Sequence, residues 1–138
     1  MSASSPHHMT IRVYYEDTDF SGVVYHASYL RFLERGRTET LRDLDIHQAD
    51  LHGSGGAGAL SFVVRRMAIE WIKPARMDDL LVIETDIHDV RGASMALKQR
   101  ILLGDSVLLT ADVVVALVAE GKPARMPPEL KTRLLTKT

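Results

Sequence analysis

Apolar and polar residues alternate from Thr10 to Glu16, with Ile11, Val13 and Tyr15 on one side and Arg12, Tyr14 and Glu16 on the other. A period of two predicts a half-buried strand. The following stretch, 17–22, is acidic and polar, ends in Ser21-Gly22 and reads as a loop. From about His26 to Leu44 the period changes. Leu30, Leu33, Arg37, Leu41 and Leu44 recur at steps of three and four, and Tyr29 and Phe32 widen the stripe. This predicts one helix of about 18 residues and about 27 Å. Glu34, Arg35, Glu39, Arg42 and Asp43 line its wetter side. Gly36 inside that helix costs about 1 kcal/mol against alanine, which points to a close packing contact.

Gly53 to Gly58 is too rich in glycine for regular structure and is expected to be a mobile loop. Beyond it the chain turns to strand patterns: Phe62 to Ile72, stopped by Pro74, then Leu80 to Val90, Ala93 to Leu103 and Val107 to Ala119. Arg91-Gly92 and Gly104-Asp105 are their turns. Links this short demand antiparallel pairing, because parallel pairs need long crossovers. Pro127 to Leu135 suits a short terminal helix. One apolar helix against an antiparallel sheet of about five strands is an α+β layer architecture, with the sheet curled round the helix. Such an open sheet leaves edges that can pair with a second chain, so a homo-oligomer is expected.

The chain has 138 residues, enough for one domain, read as a flexible leader over 1–9 and a single domain over 10–138. Hydrophobic residues make up 46% and charged residues 25%, which excludes a disordered chain. Seventeen basic against eighteen acidic side chains carry no general signature of nucleic-acid binding. The absence of cysteine removes disulfides, Cys-ligated metals and a Cys nucleophile. No apolar run approaches the roughly 18 residues of a membrane span. The N-terminus has no basic region followed by an apolar one, so it is not a secretory signal, and a cytoplasmic location is expected. No His/Asp/Glu spacing matches a zinc site, and the glycine-rich loop lacks the Gly-Lys-Ser/Thr ending of a phosphate-binding loop.

The chemistry concentrates in Tyr14 to Tyr29, where Glu16, Asp17 and Asp19 crowd just ahead of the long helix. A helix N-terminus offers unpaired N–H groups and the positive end of a dipole, which can hold a carbonyl oxygen as its charge develops. A carboxylate on the carbon side of that carbonyl can attack it or activate a water. The same pattern also fits carboxylates that merely cap the helix. Composition and position alone leave both readings open.

The run Tyr14 to Glu39 resembles the signature of the YbgC-type acyl-CoA thioesterases, in the 4-hydroxybenzoyl-CoA thioesterase branch of the hotdog fold, which is associated with the Tol–Pal gene cluster. Phe62 to Met67, Pro74 to Asp79 and Arg91 to Ser94 match as well, so the likeness spans about Arg12 to Pro127. The glycine-rich segment Gly53 to Gly58 departs from it.

The resemblance implies a hotdog fold, a long helix wrapped by a five-stranded antiparallel sheet. It implies hydrolysis of acyl-CoA by Asp19, as nucleophile or general base, with the His26 N–H as oxyanion donor and Val24 and Tyr25 beside it. Arg91 and Ser94 mark the turn where relatives approach the coenzyme A phosphates. No cofactor is implied, since coenzyme A belongs to the substrate. The assembly implied is a dimer of dimers with sites at the dimer interface, and short to medium aliphatic chains are favoured. Asp17 reads as supporting structure. Glu34 is the alternative base, or else an internal ion-pair partner of Arg35 or Arg37. An adaptor for acyl carrier protein and phospholipid-synthesis enzymes is the competing function. A dehydratase ranks third, because Asp19 to His26 lacks the Pro-Gly-rich approach to the helix.

Overall fold

The computed structural model describes residues 6–53 and 58–136. Its elements are β1 (His7–Arg12), α1 (His26–Asp43), α2 (Gln48–His52), β2 (Ser61–Trp71), β3 (Leu80–Val90), β4 (Ser94–Leu103), β5 (Ser106–Ala119), β6 (Lys122–Pro123) and α3 (Pro128–Leu135). The sheet is antiparallel in the order β1-β3-β4-β5-β2, with the two-residue β6 also paired to β5. Register shifts at Val64/Arg66, Ile87/Asp89 and Ile101/Leu102 mark bulges, which bend strands and increase local twist.

Helix α1 lies on the sheet through Tyr29, Phe32, Leu33, Gly36, Thr40 and Leu41. Opposite it, β3, β4 and β5 turn in Leu81, Ile83, Leu97, Ile101, Leu109 and Val113. The stripe is rotated from the expected one. Leu30 stays 44% exposed, and Arg37 sits at the margin. Gly36 and Thr40 take places on the contact line because the helix lies too close to β3 for larger side chains. A Cβ on Gly36 would come 2.6 Å from Ile83 Cγ2, which bears out the close contact expected there. Beside it Gln99 donates to Leu33 O (3.0 Å) and Thr85 Oγ1 (2.9 Å), while its Oε1 accepts from Arg37 Nη1 (3.0 Å). The buried amide is thus fully partnered, as a polar group in a core must be.

The first strand is displaced from its expected span. It begins at His7, so His7 to Met9 are strand rather than leader, while residues 1–5 lie outside the described ones. His8 Nε2 meets Glu84 Oε2 at 3.1 Å, and His7 Nε2 meets Asp43 Oδ2 at 3.0 Å, tying the early residues to β3 and the end of α1. The strand stops at Arg12 instead of Glu16 because Tyr14 N is taken by the Asp17 carboxylate, which folds the chain into a 3₁₀ turn over Tyr15–Asp17. Tyr15 consequently points outward at 80% exposure. Of the glycine-rich loop, residues 54–57 lie outside the described ones; Gly53 and Gly58 have φ of 59° and 87°. The short α2 was not anticipated, since five residues are too few to show a period.

Candidate active site

Between β1 and α1 the chain forms a narrow hairpin. Thr18 bridges Val24, and Asp19 N donates to Val23 O at 2.9 Å. Gly22 N returns to Asp19 O at 3.1 Å, closing the turn Asp19-Phe20-Ser21-Gly22, and Gly22 has a φ of 86° that favours glycine. The segment before β3 fastens this hairpin from outside. Val24 N donates to Ala75 O (2.9 Å), Met77 N to Gly22 O (3.2 Å), and Val23 bridges Arg76. Asp17 is buried; its carboxylate accepts Tyr14 N and its carbonyl accepts Tyr25 N, both at 2.9 Å. It is a structural residue, as expected.

Asp19 Oδ1 accepts the Ser21 hydroxyl at 2.5 Å and the Ser21 amide at 2.8 Å. These bonds, the hydroxyl foremost, hold the carboxyl below the usual aspartate range. The backbone N–H groups of Val23 and Gly22 add to this pull, so the turn gathers several donors round the carboxylate. Helix α1 starts at His26 with Tyr25 as its N-cap, no side-chain cap bond and no acid in its first turn. The acidic residues ahead of the helix therefore do not cap it; Asp17 and Asp19 use their oxygens in the turns. Of the first-turn N–H groups, Ser28 N donates to Tyr25 O at 2.9 Å, while those of His26 and Ala27 have no partner among the described residues; Asp19 stands opposite Val23, about 10 Å of extended chain ahead of His26.

A cavity of about 230 Å³ opens beside the helix start, walled by Val24, His26, Tyr29, Trp71, Ile72 and Pro74. The His26 and Trp71 rings lie 4.6 Å apart with a 46° tilt, and Tyr29 meets Trp71 edge-on at 5.4 Å. The Tyr29 hydroxyl accepts the Ala75 amide at 2.8 Å, and burial pushes its phenol up. Tyr25, the N-cap of α1, is exposed. Trp71, Tyr29 and Ser21 were not singled out from the sequence. Ser21 is legible as an aspartate-turn partner two residues on, but the Trp71 stack requires β2 and α1 to be brought together.

Arg91 and Ser94 do not join this cluster. They sit at the β3–β4 turn, closed by Arg91 N to Ser94 O at 2.7 Å, whereas the hairpin packs at the start of β3. Eleven residues of β3 separate them, about 33 Å of strand. The Arg91 guanidinium pairs with Asp89 at 2.8 Å and is exposed. Arg125, which the sequence did not single out, lies over the same turn, 3.7 Å from where a Gly92 Cβ would stand. Glu34 faces a second cavity of about 290 Å³ with Arg37, Phe62, Val64 and Met95. The ion pair expected for it is not a contact among the described residues. Its charge offsets only part of the downward push that burial gives Arg37. Among the described residues no three His, Asp or Glu side chains converge as metal ligands, and no helix is long and apolar enough to cross a membrane.

The sequence profile of the thioesterase-like superfamily matches residues 13–134. The chain is 46% identical over 123 residues to the acyl-CoA thioesterase YbgC of Haemophilus influenzae, covering 88% of each chain. It is 48% identical over 123 residues to the acyl-CoA thioester hydrolase YbgC of Escherichia coli, covering 87% of this chain and 89% of that one. A solved structure named "Probable Thioesterase" from Bartonella henselae superimposes with a TM-score of 0.82 at 49% identity, over 89% of this chain and 100% of the other.

Proposed function

The chain belongs to the thioesterase-like superfamily and, within it, to the YbgC family of acyl-CoA thioesterases, and from that premise we propose that it hydrolyses a short- to medium-chain acyl-CoA to the free acid and coenzyme A in the cytoplasm. The observation that carries this reading is the uncapped start of α1, with the ionised Asp19 on the hairpin turn immediately before it. The substrate carbonyl oxygen accepts the His26 N–H, which stabilises the charge that builds there. The Asp19 carboxylate either attacks the carbonyl carbon or takes a proton from a water that does so. In the first route the acyl group passes to Asp19 as a mixed anhydride, which a water then hydrolyses to free the carboxylate; in both routes the C–S bond breaks and the thiolate leaves. The net reaction adds hydroxyl to the acyl carbon and a proton to sulfur. Val24 and Tyr25 flank the reacting carbonyl. The carboxylate and the helix end suffice for this chemistry, so no cofactor enters it.

The working unit in this reading is two copies joined along β2. Among the described residues that strand pairs only with β5, and its Val63 and Val64 are more than 40% exposed, an edge that proteins normally cover. Trp71, opposite Leu109 and Ile101, marks one end of the sheet; Val63, opposite Ala116 and Ser94, marks the other. A two-fold, antiparallel pairing of β2 with its copy lays one end against the other. It brings Arg91 of the partner subunit and Ser94 of the partner subunit toward Asp19, and offers guanidinium groups to the coenzyme A phosphates.

Thiol release from an acyl-CoA panel tests the assignment, with Asp19→Asn run beside wild type and circular dichroism checking the fold. The expected result is turnover by wild type and a loss of about a hundredfold or more in the variant, about 2.7 kcal/mol of transition-state stabilisation. An inert wild-type protein that captures acyl carrier protein would instead favour the adaptor.

A further inference from the structure

The chain contains a single tryptophan, Trp71, and it stands at the end of β2 against the helix start. We propose that this indole sets the acyl-chain length, acting as the yielding wall of the cavity beside His26 and restricting it to acyl groups of a few carbons. The inference rests on the thioesterase reading above and names what that site selects.

Tyr29, Val24 and Pro74 are fixed walls, whereas Ile72, at 48% exposure, and the exposed Lys73 complete the lining beside Trp71. Tyr29 is 3% exposed, its hydroxyl is held by the Ala75 amide, and Phe32 backs it edge-on at 6.3 Å. Val24 is buried and tied by its amide to Ala75 O. Pro74 has a locked φ. Trp71 differs from them. Within one chain it is 47% exposed, at the end of the β2 edge placed above against a second copy, and ring contacts to His26 and Tyr29 are what hold its indole. The cavity it closes, about 230 Å³, is smaller than the roughly 300–1,000 Å³ of drug-sized ligand sites. Its walls are mainly aliphatic and aromatic, which suits an alkyl chain, and its His26 end adjoins the unpartnered His26 and Ala27 N–H groups where the carbonyl would sit. Each methylene added to the chain must therefore displace the indole or remain in water.

The test compares kcat/KM for acetyl-, butyryl-, hexanoyl-, octanoyl-, decanoyl- and lauroyl-CoA across wild type, Trp71→Ala and Trp71→Phe. Wild type should favour six carbons or fewer. The alanine variant should raise the decanoyl-to-butyryl ratio by about tenfold or more, the order that methylene-scale changes in a pocket command, with phenylalanine between. A uniform fall across the panel, leaving the ratio unchanged, overturns the proposal and leaves the thioesterase assignment standing. Inert wild type overturns both. A second measurement needs no substitution: the tryptophan emission of wild type is titrated with the thioether S-butyl-CoA and with coenzyme A alone. The thioether should shift or quench the emission and coenzyme A should not. Equal responses, or none, overturn the proposal even if the alanine variant fails to fold.

Discussion

Ser21 Oγ lies 2.5 Å from Asp19 Oδ1, and the Ser21 amide reaches the same oxygen at 2.8 Å. The turn thus fixes the orientation of the carboxylate through Oδ1. Both bonds favour the ionised form, so Asp19 is held below its ordinary range. Removing the hydroxyl by Ser21→Ala should let that pKa rise and move the acid limb of kcat/KM to higher pH. Activity well above both values should change little, since Asp19 is ionised there in either protein. A kcat/KM profile from about pH 4 to pH 8 reads this directly. An unmoved limb would assign it to another group.

The free β2 edge predicts that a charge at Val64 blocks association. Val64 is 45% exposed beside Leu30 and Arg37, and Val64→Lys would set a desolvated cation at each mirrored position of a two-fold interface. Sedimentation should show mainly a 15.4 kDa species, and thioesterase activity should fall with it. An active monomer would show that the site is complete in one chain.

Gly36→Ala sets two effects against each other. Alanine gains about 1 kcal/mol of helix propensity, but its Cβ would stand 2.6 Å from Ile83 Cγ2 and 3.1 Å from Thr85 Oγ1. Overpacking a core of this kind costs about 1–3 kcal/mol, so the net effect should be a destabilisation of up to about 2 kcal/mol in urea melts. Combining it with Ile83→Ala should cost less than the sum of the two single changes, because the clash is shared.

Glu84 receives Arg100 at 2.6 and 3.0 Å and His8 at 3.1 Å, and Arg100 foremost holds its carboxyl below the usual range. A lowered folded pKa gives stability that is complete above the unfolded value, about pH 4–5, and is lost as pH falls through the folded one. Glu84→Gln should therefore flatten the acid side of the stability profile, by about 1 kcal/mol at most since Arg100 is 43% exposed. Urea midpoints at pH 3 and pH 7 measure it.

Much of the fold was legible in the chain. Leu80 to Val90 was bounded as observed, and α1 and the strands β2, β4 and β5 lay within a residue of their expected ends, because period and punctuation are local properties. β1 was misplaced because its limits depend on partners distant in sequence. Ile11 pairs with Leu81 and His7 with Thr85, whereas the alternation through Tyr15 was ended by one Asp17 carboxylate. The rotated face of α1 has the same origin: the distance to β3 selects Gly36 and Thr40 over Leu30.

For the site, the chain alone located the candidate chemistry: carboxylates ahead of a helix, and a family resemblance that implies roles for Asp19 and His26. Tertiary structure decided how they are used. It showed that Asp17 and Asp19 serve turns rather than the helix end, set Trp71 against His26, and placed Arg91 and Ser94 at the far end of β3 from Asp19. The reason is that motif and periodicity record a residue's own neighbours along the chain, whereas ring stacking, open N–H groups and strand-length separations depend on which elements the packed core brings together.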